Sequence, residues 1–310
     1  MIGQRLLQEF IDGIDTKEFS DAYLTKKRAY ECLDMTACIF CRETRALKSE
    51  IDITTVEDQQ EYPLPPAFID LYMRDRDNNF FVRHTDITTD ETSWPVQVSE
   101  ERIFRQNLTE ASDSPAHFCI VEKDTPTRAE ISGAATDDGA ELAGGRCILE
   151  DTEKDFLGAD RVWPRDEIYN TTTDAAGYIL EVIDETHLYC ALFDGNEIAD
   201  WTNKDTYIIR PSPAPLFKLD APALSAGNII TVPYVTLPPP VFWEIGSWML
   251  PERVCKAIAS GAAALFKTSK TEYKEAQSLG ALFDAEVSRY KIEQGARVLK
   301  QGPSRRRERM

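Results

Sequence analysis

The chain lacks most of what an enzyme, a membrane protein or a disulfide-built secreted domain would show. No apolar run approaches the ~18–20 residues that a membrane span needs. The opening stretch, MIGQRLLQEFIDGID, mixes acids into its apolar residues and does not read as a secretory signal. No GxSxG, GxxxxGKS/T or GxGxxG occurs, and GAELAGG lacks the preceding strand and following helix of a phosphate cradle. There are only three histidines, His84, His117 and His187, in separate strand-like runs with no HxH or HExxH. The seven cysteines, Cys32, Cys38, Cys41, Cys119, Cys147, Cys190 and Cys255, are odd in number and scattered. That excludes a fully paired framework and fits reduced thiols made in a cytosol.

Positive charge is scarce too. The formal net charge is −18, which argues against a nucleic-acid duplex bound along the length of the chain. The deficit is uneven. Residues 251–310 carry a net +6 and the first 250 carry −24, and the chain closes on GPSRRRERM, with four arginines in its last six positions. Such asymmetry marks an interaction tail or a solvated face.

What remains is ample material for a folded body. The 310 residues are 42% hydrophobic and long enough for two domains. Residues 15–48 read as one long helix, opened by Asp15 and Glu18 in capping-box positions and striped by Phe19, Tyr23, Tyr30, Leu33, Ala37, Phe40 and Leu47. A shorter helix, QRLLQEF, precedes it. Two short strands follow around Asp58-Gln59-Gln60, then FIDLYMRD and FFVRH read as a hairpin, and HFCIVE as a fifth strand. Residues 131–212 alternate strand-like runs (Cys147 to Leu149, Glu167 to Tyr169, Tyr178 to Ile183, His187 to Leu192, Thr206 to Ile209) with Gly, Asn and Asp turns. Their acidity is high, a net −12 over 131–210. Strands near Leu216 to Leu219 and Ile229 to Val235 come next, then helices from Pro251, taken as an N1 proline, through a second capping box at Ser269 and Glu272 as far as Gly302-Pro303.

The expected class is therefore α+β: a helical body with long N- and C-terminal helices and short antiparallel strands, plus an inserted small all-β barrel or sandwich. The expected division is 1–130 with 213–310 as body, 131–212 as the inserted acidic β domain, and 303–310 as a flexible basic tail. CIFC, Cys38 to Cys41, reads as structural because it lies mid-helix without a second CxxC. The carboxylate pairs Asp137-Asp138, Asp151-Glu153 and Asp166-Glu167 are too numerous to single one out. The sequons at Asn107 and Asn170 would matter only in a secreted eukaryotic protein. No catalytic residue, cofactor site or metal site is expected.

The helix followed by ITTVEDQQEYPLPPAFIDLYMRD resembles the start of head-to-tail adaptor proteins of tailed bacterial viruses, with their Tyr-x-Leu-Pro-x-x-Phe pattern at Tyr62, Leu64, Pro65 and Phe68. IITVPYVTLPPPV and LPERVCKAIASGAAALF resemble a later strand and the C-terminal helix of that family, and residues 155–209 resemble a β module inserted in phage structural proteins. In that module a Gly-Asp usually precedes the strand, where Pro164-Arg165-Asp166 stands here. The resemblance implies a structural virion protein without turnover, made in the bacterial cytoplasm. It implies a ring of twelve copies joining the portal of the capsid to a tail or neck protein, with genomic DNA passing through unread. It also implies that the C-terminal segment docks on the portal. Arg305, Arg306, Arg307 and Arg309 would do so through charge-assisted bonds. Two alternatives stand beside it: a receptor- or carbohydrate-binding virion component using the β domain, and a hydrolase of cell-wall polymer.

Overall fold

The computed structural model describes residues 3–14, 25–72, 82–106, 111–139, 146–194, 197–241 and 250–300. These fall into two compact units, one of Met1–Ala46 with Glu244–Met310 and one of Leu47–Trp243.

The first unit is helical. Its elements are α1 (Gly3–Gly13), α2 (Lys26–Thr44), α4 (Glu252–Ser269) and α5 (Tyr273–Lys300), while a short α3 (Glu100–Gln106) belongs to the second unit. Spacings of three and four place Leu33, Ala37 and Phe40 on the buried face of α2, and Val254, Ile258, Ala262 and Phe266 on that of α4. Phe40 packs edge-on against Phe283 and Tyr290 of α5, at 6.4 and 5.3 Å between ring centroids, and Phe10 of α1 meets Phe266 at 5.9 Å. Gly261 lets the helices approach, because a Cβ there would come within 2.7 Å of Thr36 Cγ2 and 2.9 Å of Phe283 Cδ2. Ion pairs link the helices and their ends: Arg253 to Glu286 and Glu293, the buried Lys267 to Glu272 and Glu275, and Lys291 to Glu43.

The expected helix over 15–48 is shorter. The Thr25 hydroxyl accepts from Arg28 N–H at 3.1 Å and starts α2, and Arg45, left-handed at φ 51°, ends it by donating its N–H to Cys41 O. The Asp15 and Glu18 capping box lies outside the described residues. Pro251 stands one place earlier than expected, as N-cap rather than N1.

The second unit holds three sheets. The first has the order β1 (Lys48–Thr54), β16 (Ile229–Thr236), β4 (Arg83–Thr85), β5 (Thr92–Ser93), with β3 (Phe68–Leu71) also on β16. The second has β13 (Glu197–Ala199), β12 (His187–Asp194), β11 (Ala175–Val182), β10 (Glu167–Asn170), β14 (Thr206–Arg210) and β8 (Ile131–Ala134), with β9 (Cys147–Glu150) also on β12. The third has β2 (Glu61–Pro63), β15 (Leu216–Leu219), β7 (His117–Val121) and β6 (Val96–Gln97).

β16 is the axis of the first sheet. β1 covers one side of it, and β4 and β3 share the other, pairing at 229–231 and 234–236. Pro233, which has no N–H to contribute, falls at the gap between them. The described ends of the two segments read as a hairpin, Phe68–Leu71 and Arg83–Thr85, both pair with β16, and the turn expected at Asp75 to Asn79 lies outside the described residues.

The seven-stranded sheet encloses a core of Leu149, Phe156, Ile168, Ile179, Leu188, Trp201 and Ile209. It curls until Thr136 N–H, just past β8, donates to Glu150 O at the end of β9. Gly177 is obligatory in this curl: a Cβ there would stand 1.6 Å from Ala191 O across the β11–β12 ladder.

The α+β expectation of a helical body carrying short strands is thus corrected. The chain is mainly β, with three sheets of five, seven and four strands among the described residues, and the helices form a separate unit from the two chain ends. The reason is long-range pairing. The short strands of 48–121 pair with β15 and β16 in 216–236, so they build sheets of their own instead of decorating helices.

Gly177→Ala should lower the thermal midpoint by well over 5 °C, since a backbone atom has to move, whereas Gly280→Ala on α5, with 4.0 Å of room to Ala264, should leave it unchanged or raised. Calorimetry of both variants checks the contrast.

Candidate functional site

Most side chains that the sequence singles out are absorbed by the fold. Cys41 is buried in the α2 face, and the Cys38 thiol donates to Asp34 Oδ2 at 3.7 Å. None of the seven cysteines is in a disulfide. Cys147 and Cys190 face each other across β9 and β12 with sulfurs 3.3 Å apart, and the hydrogen bond from its partner, with burial, raises the Cys147 thiol far above its ordinary range. Such thiols are poor nucleophiles. His84 is buried in β4, where burial lowers its pKa, and His117 Nδ1 lies 3.1 Å from Asp220 Oδ2.

The carboxylate pairs hold turns and cores. Asp138 accepts from Asn203 N–H, and buried Asp151 accepts the Tyr207 hydroxyl at 2.7 Å. Burial first, then that carboxylate, pushes the Tyr207 pKa far up. Asp155 and Asp160 accept backbone N–H groups of their own loop. No group of three or more His, Cys, Asp or Glu side chains among the described residues is arranged to hold a metal ion. Asn170 is buried, with its amide donating to Asp205 and accepting from Thr172 and Thr173 N–H, so that sequon is consumed internally. Asn107, Arg305, Arg306, Arg307 and Arg309 lie outside the described residues. Among those described, no helix is long and apolar enough to cross a membrane.

A fully buried polar node forms at Asp166, one of the pairs that sequence alone could not rank. Its carboxylate, fully buried, accepts two bonds from Arg128, both at 2.7 Å, and one each from the N–H groups of Trp163 and Ser212 at 2.9 Å. The Arg128 guanidinium also lies over the Trp163 ring, 4.3 Å from its centroid. Next to it Arg165, left-handed at φ 80°, accepts the Ser212 hydroxyl on its carbonyl and donates from its side chain to Pro238 O. The strand-rich segment is thereby tied at its entry (Arg128), its exit (Ser212) and to the chain beyond (Pro238). Sequence reasoning missed Arg128 and Ser212, and no local signal marks them.

On the helical unit, α2, α4 and α5 border an open cleft of about 290 Å³ lined mainly by apolar and small side chains, among them Ile39, Ala264, Leu265, Gly280 and Phe283. Tyr273 at its edge and Leu282 on α5 are exposed. No protein-family model and no curated protein matches the chain.

Removing Arg128 leaves a buried carboxylate half-satisfied. Arg128→Ala should cost about 3–5 kcal/mol by denaturant titration, and Arg128→Lys less, because the ammonium keeps the charge but not the fork. A milder pH effect sits at His187, whose Nδ1 is 2.8 Å from Asp184 Oδ1 and whose Nε2 is 3.3 Å from Glu150 Oε2. The Asp184 hydrogen bond raises the His187 pKa, and the Thr186 N–H and His187 lower that of Asp184 to about 2. Stability from the histidine is full below about pH 6.5 and is lost as pH rises through its folded pKa. Stability from Asp184 is present above about pH 4 and is lost as pH falls through about 2. His187→Gln should flatten the first step in a plot of thermal midpoint against pH.

Proposed function

We propose that this chain is a structural virion protein, a head-to-tail adaptor that forms a ring of identical copies, twelve in number, between the portal of a capsid and the tail or neck protein below. Genomic DNA passes through the ring without being read, and the chain turns over no substrate. The observation that carries the reading is the open apolar cleft of the helical unit. In an isolated subunit that surface costs hydration free energy, roughly 25 cal/mol per Å² of apolar area. A helix from a neighbouring copy laid into it removes the cost and defines a subunit interface. The acidity of residues 131–210 supports the DNA-passage role, since a negatively charged lining repels duplex and keeps it from adhering.

Negative-stain images of the protein, alone and mixed with portal, test this directly. Closed rings are expected in at least the mixture. Ala264→Trp, which fills the cleft from its own floor, should leave circular dichroism unchanged and abolish the rings. An elongated trimer under both conditions would instead favour a receptor- or carbohydrate-binding component and overturn the adaptor.

A further inference from the structure

Four connections meet at one end of the five-stranded sheet: residues 55–58 after β1, 86–91 between β4 and β5, 111–114, and 222–228 before β16. Thr54, Ile229 and Thr85 stand in one row there. Beyond that row the backbone turns inward on itself. Gly227 N–H donates to Thr55 O, Thr55 N–H to Asn228 O, Asp58 N–H to Ala223 O, and Leu224 N–H to Ser112 O. Ile87 N–H donates to Asn228 Oδ1 and the Ser225 hydroxyl to Asp113 Oδ2. Gly227, at φ 97°, sits so close to Ile87 that a Cβ would come within 2.9 Å of its Cδ1. With the polar groups tied inward, aliphatic side chains face out: Val56 is 51% exposed, Ile87 56% and Leu224 53%.

The rim of this tip has one sign of charge. Glu57, Asp58, Asp86, Asp90, Glu91 and Asp113 lie in or beside these connections, and residues 55–60, 85–92, 111–114 and 221–228 contain no Lys or Arg. The N–H groups of Thr88 and Thr89 lower the Asp86 pKa, so it is ionised at neutral pH. An aliphatic centre inside an all-acidic rim repels nucleic acid and anionic lipid, and it matches a cationic protein segment with apolar reach. Residues 301–310, QGPSRRRERM, have that chemistry: arginine forks for carboxylates, and arginine stems and Met310 for aliphatic contact.

We propose that the tip of the five-stranded sheet is the docking site for residues 301–310 of a second copy of this chain. The inference rests on the ring reading above, because a contact between two different patches of identical subunits is heterologous and closes a ring when its rotation closes. It assigns the basic segment to a neighbouring copy rather than to the portal. One docked segment binds weakly through rim charges that salt screens, and repetition around a ring supplies the avidity.

The test is fluorescence anisotropy of labelled peptide QGPSRRRERM against the purified full chain. Saturable binding is expected, weakened about tenfold between 50 and 300 mM salt. It should be weakened about tenfold again by the exposed triple variant Glu57→Lys, Asp58→Lys, Asp90→Lys, and also by Val56→Ser with Leu224→Ser. A peptide with its four arginines replaced by glutamate should bind the triple-lysine variant better than the parent chain. Equal affinity for parent and triple variant, no binding to the chain, or binding to portal alone would overturn the proposal. Ring images separate the two readings. Rings that persist unchanged in the triple variant would leave the adaptor standing and remove the docking, whereas tip-specific peptide binding by a chain that never forms rings would do the reverse.

Discussion

A single buried negative charge governs how the strand-rich segment is held. Asp166 accepts four hydrogen bonds, two from Arg128 and one each from the backbone of Trp163 and Ser212. A carboxylate taken out of water costs several kcal/mol unless its lone pairs are filled. Here they are filled by the neighbouring Trp163 N–H and by two groups far off in sequence on either side, Arg128 and Ser212. The chain can leave and re-enter the rest of its unit at one geometry only, and the left-handed Arg165 beside it extends the tie to Pro238. The seven-stranded sheet then closes on its own apolar core, with Trp201 donating from its indole N–H to the Cys190 sulfur at 3.1 Å and Asn170 holding Asp205 at its margin.

Two kinds of surface remain after these internal demands are met. The helical unit buries most of α4 and leaves a cleft bordered by α2, α4 and α5. The five-stranded sheet ends in aliphatic side chains ringed by acids. Neither surface is explained by the stability of a lone subunit, and in the proposed adaptor both would be covered by contact with another chain. A protein whose charge is −24 over its first 250 residues and +6 over the rest is also electrostatically suited to meet itself end to patch.

Local signals in the sequence carried local structure well and long-range structure poorly. Leu216 to Leu219 and His117 to Val121 are strands where alternation and flanking prolines place them. Their common sheet, with β15 between β2 and β7, has no local mark. The helix over 15–48 was overextended because the stripe through Leu47 ignores Arg45, whose left-handed backbone carries no side-chain signature. The turn read at Asp75 to Asn79 lies outside the described residues, and the described ends of its two arms both pair with β16, a partner that no local pattern marks. Asp166 looked like one acid among many. What distinguishes it is a partner at position 128 and a backbone N–H at 212, and no spacing rule links those positions. The exposed tip was equally hidden: Val56, Ile87 and Leu224 are ordinary turn neighbours until sheet register gathers their connections.

The central claim is that the chain is a connector built from identical copies rather than a catalyst or an adhesin. The most direct measurement is a cryo-EM reconstruction of the neck of tailed particles that contain this chain. The account predicts a closed ring of this chain directly below the portal, with the acidic β-rich surfaces around the DNA path. Finding the chain only in trimeric fibres at the particle periphery, or absent from the neck, would contradict it.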